Sequence, residues 1–461
     1  MRQQLVFDSE LLAKYDVSGP RYTSYPTAPQ FNERFDEQVY RNSIAESNGD
    51  FLARPLSIYI HIPFCNSVCY YCGCNKIVTK DRSKGIEYLY HLYEEIAMQA
   101  EMFDGDRTVQ QIHIGGGTPT FIGDEQLAVL MHELHSHFPI APDDVGEYSI
   151  EIDPREATPQ TIGVLRDAGF NRLSLGVQDL DKSVQLAVNR VQSEKETFDI
   201  IDAARAHNFR SISLDLMYGL PNQSVDSFYR TLKRVIQAKP DRLSLFNYAH
   251  MPELFKPQRR INEAYLPSTL SKMAILKQSI QQLEEAGYVY IGMDHFALPD
   301  DELAIAQREG KLQRNFQGYS THGDCDLLAM GMTAIGQTHN SFSQNYRSLD
   351  DYHTAIDGDH LPIARGLILT EDDQIRGRVI QELICHFKLD FKVIMEQFGV
   401  NVRKYFASEL VKLAVMEEDG LLQIEQNSIQ VLPAGRLLIR NICMMFDAYL
   451  QKNQQQYSKV I

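Results

Sequence analysis

Between about residue 55 and residue 300 the chain alternates two kinds of apolar pattern. Short runs rich in β-branched and aromatic residues read as strands: "PLSIYIHI" (55–62), "VQQIHI" (109–114), "EYSIEI" (147–152), "RLSLGV" (172–177), "SISLDLM" (211–217) and "RLSLFNY" (242–248). Between them apolar residues recur at helical spacing. Ile86, Leu89, Tyr90, Tyr93 and Ala97 do so in "KGIEYLYHLYEEIAMQA", and Leu127, Leu130, Met131 and Leu134 do so in the next helix. The third helix carries its own punctuation, with Thr158 as cap, Pro159 in the first turn and Gly169 just past the end. Ser193 with Glu196 spells a capping box ahead of the fifth strand. "YVYIGM" (288–293) predicts a further strand. Strands alternating with helices imply right-handed βαβ units and a parallel sheet, and six units favour a full or partial α/β barrel over an open sheet.

After about residue 366 the alternation stops. Thr370 with Asp373 opens a helix, "EDDQIRGRVIQELICHF"; a hairpin-like piece, "GLLQIEQNSIQVL", and a final helix, "GRLLIRNICMMFDAYL", come later. This predicts a mostly helical appended domain with a small wing. Residues 1–54 show few periodic elements, and "SGPRYTSYPTAPQF" (18–31) is turn-rich and aromatic, as an extended segment lying across a larger body would be. The expected units are therefore 1–54, 55–365 and 366–461.

Composition narrows the class. With 461 residues the chain exceeds a single ordinary core, and 44% apolar with 23% charged residues is a soluble globular balance. No stretch approaches the roughly 18 uninterrupted apolar residues of a membrane span. The amino-terminal "MRQQLVFDSELLAKYD" has mixed charge and no apolar core, unlike a secretory signal. A cytoplasmic location follows, where clustered thiols are ligands more often than disulfides. The net charge of −16 argues against a nucleic-acid surface. An anionic substrate would have to be recognised by local arginines.

Four of the seven cysteines fall within "CNSVCYYCGCNK" (65–76), at Cys65, Cys69 and Cys72 in C-x3-C-x2-C spacing, with Cys74 next. This loop follows the first strand. "GGGTPT" (115–120) follows the second, Glu151 and Asp153 end the third, and Gln178 follows the fourth. Asp215 lies near the end of the fifth, and Asn247, Tyr248 and Ala249 end the sixth. Polar residues gathered at one rim of a barrel are how active sites are built on this architecture. A structural zinc usually draws cysteine pairs from separate turns. An iron–sulfur cube held by three thiolates from one loop leaves an iron open to an outside ligand. A zinc knot and unrelated buried thiols are the alternatives. The glycine run fits a tight strand-to-helix turn, or bare amides that approach a small molecule and hold its carboxylate. Glu151, Asp215 and Arg190 taken singly also fit solvated or salt-bridged rim positions.

C-x3-C-x2-C on the first loop of an α/β barrel, with a glycine-rich second loop, resembles the radical S-adenosylmethionine (SAM) superfamily. "SIYIHIPFCNSVCYYCGCNK", "HIGGGTPT", "SIEIDPRE", "NRLSLGVQD", "DLMYGLP", "LSLFNYAHMP", "IGMDHFA", "RNFQGYSTHGD" and "GRLLIRNICM", with the leader "GPRYTSYPTAPQF", resemble the oxygen-independent coproporphyrinogen III oxidases in order along nearly the whole chain. The resemblance implies a partial (β/α) barrel of radical SAM type with a helical C-terminal domain. It implies conversion of two propionates of coproporphyrinogen III to vinyl groups through a 5′-deoxyadenosyl radical. By it, Cys65, Cys69 and Cys72 ligate a 4Fe-4S cluster, and Tyr59, Gly116, Glu151 and Ile335 hold the cluster-bound SAM. Tyr71, Gly117, Thr118, Gln178, Arg190, Asp215 and Ala249 hold a second SAM. Tyr59, Glu151, Cys74 and Gln317 are the positions it assigns to catalysis, with Gln317 on the substrate side. The chain departs from the family pattern at Tyr71, often Phe, and at His322, often Gln. Arg21 and Lys76 are candidates for the substrate's carboxylates. The implied partners are a one-electron donor such as flavodoxin or ferredoxin, with the chain acting as a monomer and no nucleic acid bound. A related haem-chaperone family shares barrel and cluster but typically lacks Cys74 and the leader. A cluster-bearing redox sensor would need none of the SAM contacts.

Overall fold

A computed structural model describes residues 5–50, 53–143, 145–450, 457 and 459. Six strands, β1 (Leu56–Ile62), β2 (Val109–Gly116), β3 (Glu147–Ile152), β4 (Arg172–Gln178), β5 (Ser211–Tyr218) and β6 (Arg242–Asn247), pair in parallel in that order. Their side chains alternate between two environments. On one face Ile58, Ile112, Ile150, Leu175, Leu214 and Leu243 are 0% exposed. A fully buried Ile or Leu contributes about 2 kcal/mol, so this helix-facing side carries the stability. The inner face is polar, with Ser57, Gln111, His113, Ser149, Glu151, Ser174, Asp215 and Ser244 lining it.

The barrel is partial. β7 (Val289–Gly292) and β8 (His295–Ala297) extend the β6 side, and β9 (Asp326–Met330), parallel to β1, leads to β10 (Ile335–Thr338), β11 (Ser341–Asn345) and β12 (Ile363–Ile368). The order β12-β11-β10-β9-β1-β2-β3-β4-β5-β6-β8-β7 leaves two unjoined ends. "YVYIGM" does contain a strand, but not another βα unit. Met293, with φ 54, turns the chain straight back into β8, and two residues are too few for a parallel crossover.

Two expectations in this part of the chain need correction. The helix Ser83–Ala100 buries Tyr88, Leu89, Leu92, Glu95, Ile96 and Gln99, whereas Ile86 and Tyr90 are exposed. Two polar residues on the buried face disguised its period. Glu95 accepts from Gly331 N (2.8 Å), Asn345 Nδ2 (2.8 Å) and Tyr352 Oη (2.7 Å), and Gln99 from Tyr40 Oη (3.0 Å). The leader is not simply extended: it contains the helices Ser9–Lys14 and Glu37–Asn48, capped by Asp8 and Asp36. The second buries Tyr40, Ser43, Ile44 and Ser47, a helical face half made of serines and so faint as a hydrophobic signal. Residues 1–4 and 51–52 of the leader lie outside the described residues.

In the C-terminal region Thr370 and Asp373 form the expected capping box on the helix Glu371–His386, and Leu422–Ile424 pairs with Ser428–Val431, which also pairs with Lys388–Asp390. The last helix is shorter than its apolar pattern predicts, Ile439–Met444, with i to i+3 turns such as Leu438 N to Gly435 O (3.0 Å) and Phe446 N to Cys443 O (3.0 Å) around it. Leu438, Ile439, Ile442, Cys443 and Phe446 are all at most 1% exposed, so packing on every side, not one apolar stripe, sets the backbone path here. Among the described residues no helix is long and apolar enough to cross a membrane.

Candidate active site

The cysteine loop leaves β1 and is pinned at its base by a short parallel pair, Phe64 opposite Ile77 and Cys65 opposite Val78. Tyr70 N donates to Val188 O (2.9 Å) and Asn189 Nδ2 to Val68 O (2.8 Å), which ties the loop to the segment carrying Arg190. Cys65, Cys69, Cys72 and Cys74 thereby line one cavity of about 350 Å³. Tyr71, Gly116, Gly117, Thr118, Glu151, Gln178, Arg190 and Asp215 line it too, so the carboxyl ends of five strands converge there.

The glycines act differently from the bare-amide expectation. A Cβ on Gly116 (φ +124) would stand 2.7 Å from Ile62 O, and one on Gly117 would stand 2.7 Å from Phe64 O. Gly117 N donates to Ile62 O (2.8 Å), Thr118 N to Phe64 O (2.8 Å) and Gly116 N to Glu151 Oε2 (3.3 Å). These amides are already engaged within the chain. Glycine is required because the two loops touch backbone to backbone.

The sulfurs lie in a cationic setting. Asp153 is clamped by Arg155 (Nε to Oδ1 3.0 Å, Nη2 to Oδ2 2.6 Å) and by Arg190 (Nη1 to Oδ2 2.9 Å). The same two guanidiniums reach Cys69 Sγ at 3.7 and 3.6 Å. Thr118 Oγ1 donates to Cys65 Sγ at 3.6 Å. Burial raises the Cys65 thiol to about 11, with Thr118 opposing. Cys72 is lowered, first by its hydrogen bond with Cys74, with burial opposing and Lys76 assisting; Cys74 is raised in turn. Lys76 Nζ donates to Cys72 O (3.2 Å) and Cys74 O (3.4 Å).

The two carboxyls are driven apart. Burial pushes on Glu151, but His113 (Nε2 to Oε1 3.3 Å), the Gly116 amide and the nearby His61 outweigh it and hold the group below the ordinary carboxylate range. Asp215 is raised to about 6, mainly by burial; Ser244 and Ser174 oppose this and the Glu151 charge adds to it. One acid is thus a firm anion beside another that is protonated part of the time near neutrality.

The remaining expected residues lie off this cavity. Tyr59 stacks on His113 (centroids 5.8 Å, 13°) and its hydroxyl is 3.0 Å from His61 Nδ1, one layer below Glu151. Ala249 lines a neighbouring cavity of about 50 Å³ with Asn247 and Arg21, whose Nη1 donates to Asp294 Oδ2 at 2.8 Å. Ile335 opens β10, and Gln317 lies at the turn between Gln313–Asn315 and Gly318–Ser320, its Nε2 buried without a partner. His322 sits at the opposite, amino-terminal end of the barrel, Nδ1 3.3 Å from Gln110 Oε1 and Nε2 3.7 Å from Glu147 Oε1. Arg155 and His113 were not singled out from sequence. Their signals were present, an arginine two residues after the strand-ending Asp153 and a histidine on the inner face just before the glycines.

Does the donor set fit a cluster? Among the described residues no three His, Cys, Asp or Glu side chains are close enough to share one metal ion. The four thiols line a cavity of about 350 Å³. Three thiols of one loop, two guanidiniums directed at a sulfur and Gln178 Oε1 buried without a partner suit a polynuclear cluster with a polar ligand beside it.

The family model for the radical SAM superfamily matches residues 59–235, and the model for the HemN C-terminal domain matches residues 369–438. The chain is 52% identical over 462 residues to the oxygen-independent coproporphyrinogen III oxidase of Pseudomonas aeruginosa, covering 100% of both. It is 50% identical over 461 residues to that of Escherichia coli, covering 100% of this chain and 99% of the other. The solved structure of coproporphyrinogen III oxidase (HemN) from Escherichia coli, described as a radical SAM enzyme, superposes with a TM-score of 0.92 at 49% identity, covering 97% of this chain and 100% of that one.

Proposed function

Because the chain belongs to the oxygen-independent coproporphyrinogen III oxidase family of the radical SAM superfamily, we propose that it converts two propionates of coproporphyrinogen III to vinyl groups without oxygen. The product is protoporphyrinogen IX. The carrying observation is a single cavity in which a three-cysteine loop meets Glu151, Gln178, Arg190 and Asp215. The haem-chaperone alternative is not favoured, since relatives alike over their whole length bear the oxidase name.

Cys65, Cys69 and Cys72 would hold a 4Fe-4S cluster, with Cys74 left off it. A bound cluster with SAM would supply the one-electron radical chemistry that lets a propionate side chain be oxidised and lose carbon dioxide, with the released electron passing to an external acceptor. Glu151, kept anionic by His113, would bind the ammonium of SAM, with Gly116 and Ile335 beside it and Tyr59 supporting through His113. Arg190, Gln178 and Asp215, with Tyr71, Gly117, Thr118 and Ala249, receive a second SAM. Gln317 faces the substrate, and Arg21 and Lys76 are candidates for its carboxylates. The chain works as a cytoplasmic monomer fed by a one-electron donor such as flavodoxin or ferredoxin.

The test is anaerobic: reconstitute the cluster, then supply SAM, a one-electron reductant, coproporphyrinogen III and an electron acceptor. Monovinyl and divinyl products, separated chromatographically, are expected. Their absence with an intact cluster overturns the reading, and tight stoichiometric haem binding in their place would favour the chaperone.

A further inference from the structure

At the amino-terminal end of the barrel a second cavity, of about 460 Å³, opens between the leader, the 313–325 segment and the helix Glu371–His386. Its size is that of small-molecule sites, about 300–1,000 Å³. It shares no lining residue with the cysteine cavity. Tyr22 and Phe342, 3% and 2% exposed, and Ile380 give it an apolar wall. Against that wall stand two arginines.

Arg314 is 8% exposed, yet its Nε and Nη1 have no hydrogen-bond partner, and it forms no ion pair among the described residues. Its compensation is the Tyr319 ring, 4.7 Å from Cζ. A ring face returns less than desolvating a guanidinium costs. Arg378 pairs with Glu382 (Nη2 to Oε1 2.8 Å), but its Nε is also buried without a partner. The other charged groups on the cavity do not neutralise Arg314. Asp326 is taken by Arg107 (2.6 Å), and Asp373 by the Thr370 cap and Tyr449 Oη (2.9 Å). Asp324 and Arg54 are exposed, His339 faces Asp50 (3.2 Å) and His322 faces Gln110. Gln381 Nε2 donates to Gln313 Oε1 (2.8 Å) and Arg314 O (3.2 Å), which fixes the backbone from which Arg314 projects.

We propose that this cavity binds an amphiphilic organic carboxylate, its carboxylate on Arg314 with Arg378 alongside and its ring against Tyr22 and Phe342. The guanidinium fork matches a carboxylate in two parallel hydrogen bonds, and the aromatic wall disfavours a fully hydrated inorganic anion. The ligand is a propionate-bearing pyrrole unit of a tetrapyrrole or a free aromatic acid. The site does not depend on the reaction assigned to the cysteine cavity.

The probe is 4-bromobenzoate. Crystals of the full chain soaked in it should show bromine by anomalous scattering inside this cavity, with the carboxylate on Arg314. Calorimetry on the cluster-loaded protein should show affinity falling about tenfold or more in Arg314→Gln, with cluster absorption and SAM cleavage unchanged. Displacement by coproporphyrin III identifies a tetrapyrrole propionate as the source. Displacement by benzoate but not by coproporphyrin III identifies a free aromatic acid. No bromine in the cavity, or equal binding by Arg314→Gln, overturns the proposal. Arg314→Met adds a stability readout. A ligand-binding arginine predicts that the ligand-free variant melts no lower than the parent and loses the bromobenzoate-induced rise. A lower melting temperature without ligand would make Arg314 structural and also overturn the proposal.

Discussion

The two ends of the barrel are built from the same strands and the same polar inner face, but they spend that polarity differently. At the amino-terminal end most inner-face groups pair with one another, although Arg172 Nε and, in the cavity beyond, Arg314 Nε and Nη1 lack a partner. Arg242 Nε binds both Asp301 oxygens (3.0 and 2.9 Å), Arg172 reaches Glu302 and Glu147, Gln111 Nε2 donates to Glu147 (3.1 Å), and Ser57 donates to Gln111 (2.9 Å). At the carboxyl-terminal end Asp153 is clamped, and the arginines that hold it also face Cys69. Gln178 Oε1 has no partner there, and Asp215 is raised towards neutrality. Satisfied pairs make structure; groups short of partners in a cavity await a ligand.

The difference predicts opposite failures. In the cysteine loop, Cys65→Ser, Cys69→Ser or Cys72→Ser should each abolish the visible absorption of the reconstituted cluster and reduce vinyl formation to background, with the fold retained. Cys74→Ser should keep the absorption. Equal loss in all four variants would make Cys74 a ligand. At the other end Asp326 is 1% exposed and receives Arg107, Ser47 and the His339 amide. Asp326→Asn leaves Arg107 buried without its counter-charge, a loss of about 3–5 kcal/mol. Denaturant unfolding should show that loss, while activity per folded, cluster-loaded molecule stays near the parent. A variant that unfolds normally but turns over slowly would erase the distinction between the two ends.

Much of this was legible in sequence because helix caps and strands are local. Thr158, Ser193 and Thr370 announced their helices through side chains that bond the backbone three residues on. The ring of functional positions was legible because parallel strands end on one side. What failed was non-local. Nothing near Gly117 or Thr118 reveals that carbonyls of Ile62 and Phe64 take their amides. Arg155 lies two residues after Asp153, but only the fold shows that it clamps Asp153 together with Arg190. Glu95 and the serines of the helix Glu37–Asn48 are polar residues buried by partners far along the chain, and so they hid which face of one helix is buried and left the other without an apolar stripe.

The smallest expected effect is on pH dependence, and it tests whether the carboxyl-terminal end carries a cost in the absence of ligands. Asp215 lies on the inner face of β5, in register with Ser244 of β6 and Gly176 of β4. Burial, with the Glu151 charge, raises its carboxyl to about 6 against the opposing serines, whereas an unfolded aspartate titrates near 4, about 3.9. Folding therefore favours the protonated form. The stability this contributes is complete below the unfolded value and is lost as pH rises through about 6. In cofactor-free protein Asp215→Asn should leave the denaturant midpoint nearly unchanged at low pH, about 4, and raise it at neutrality, where the parent must bury a charge. SAM affinity should fall in the same variant, since the group that destabilises the empty site is one proposed to contact the ligand. A midpoint shift of equal size at both pH values would mean that Asp215 is held by fixed partners, as Glu147 is at the opposite end, and the contrast between the two ends would not extend to it.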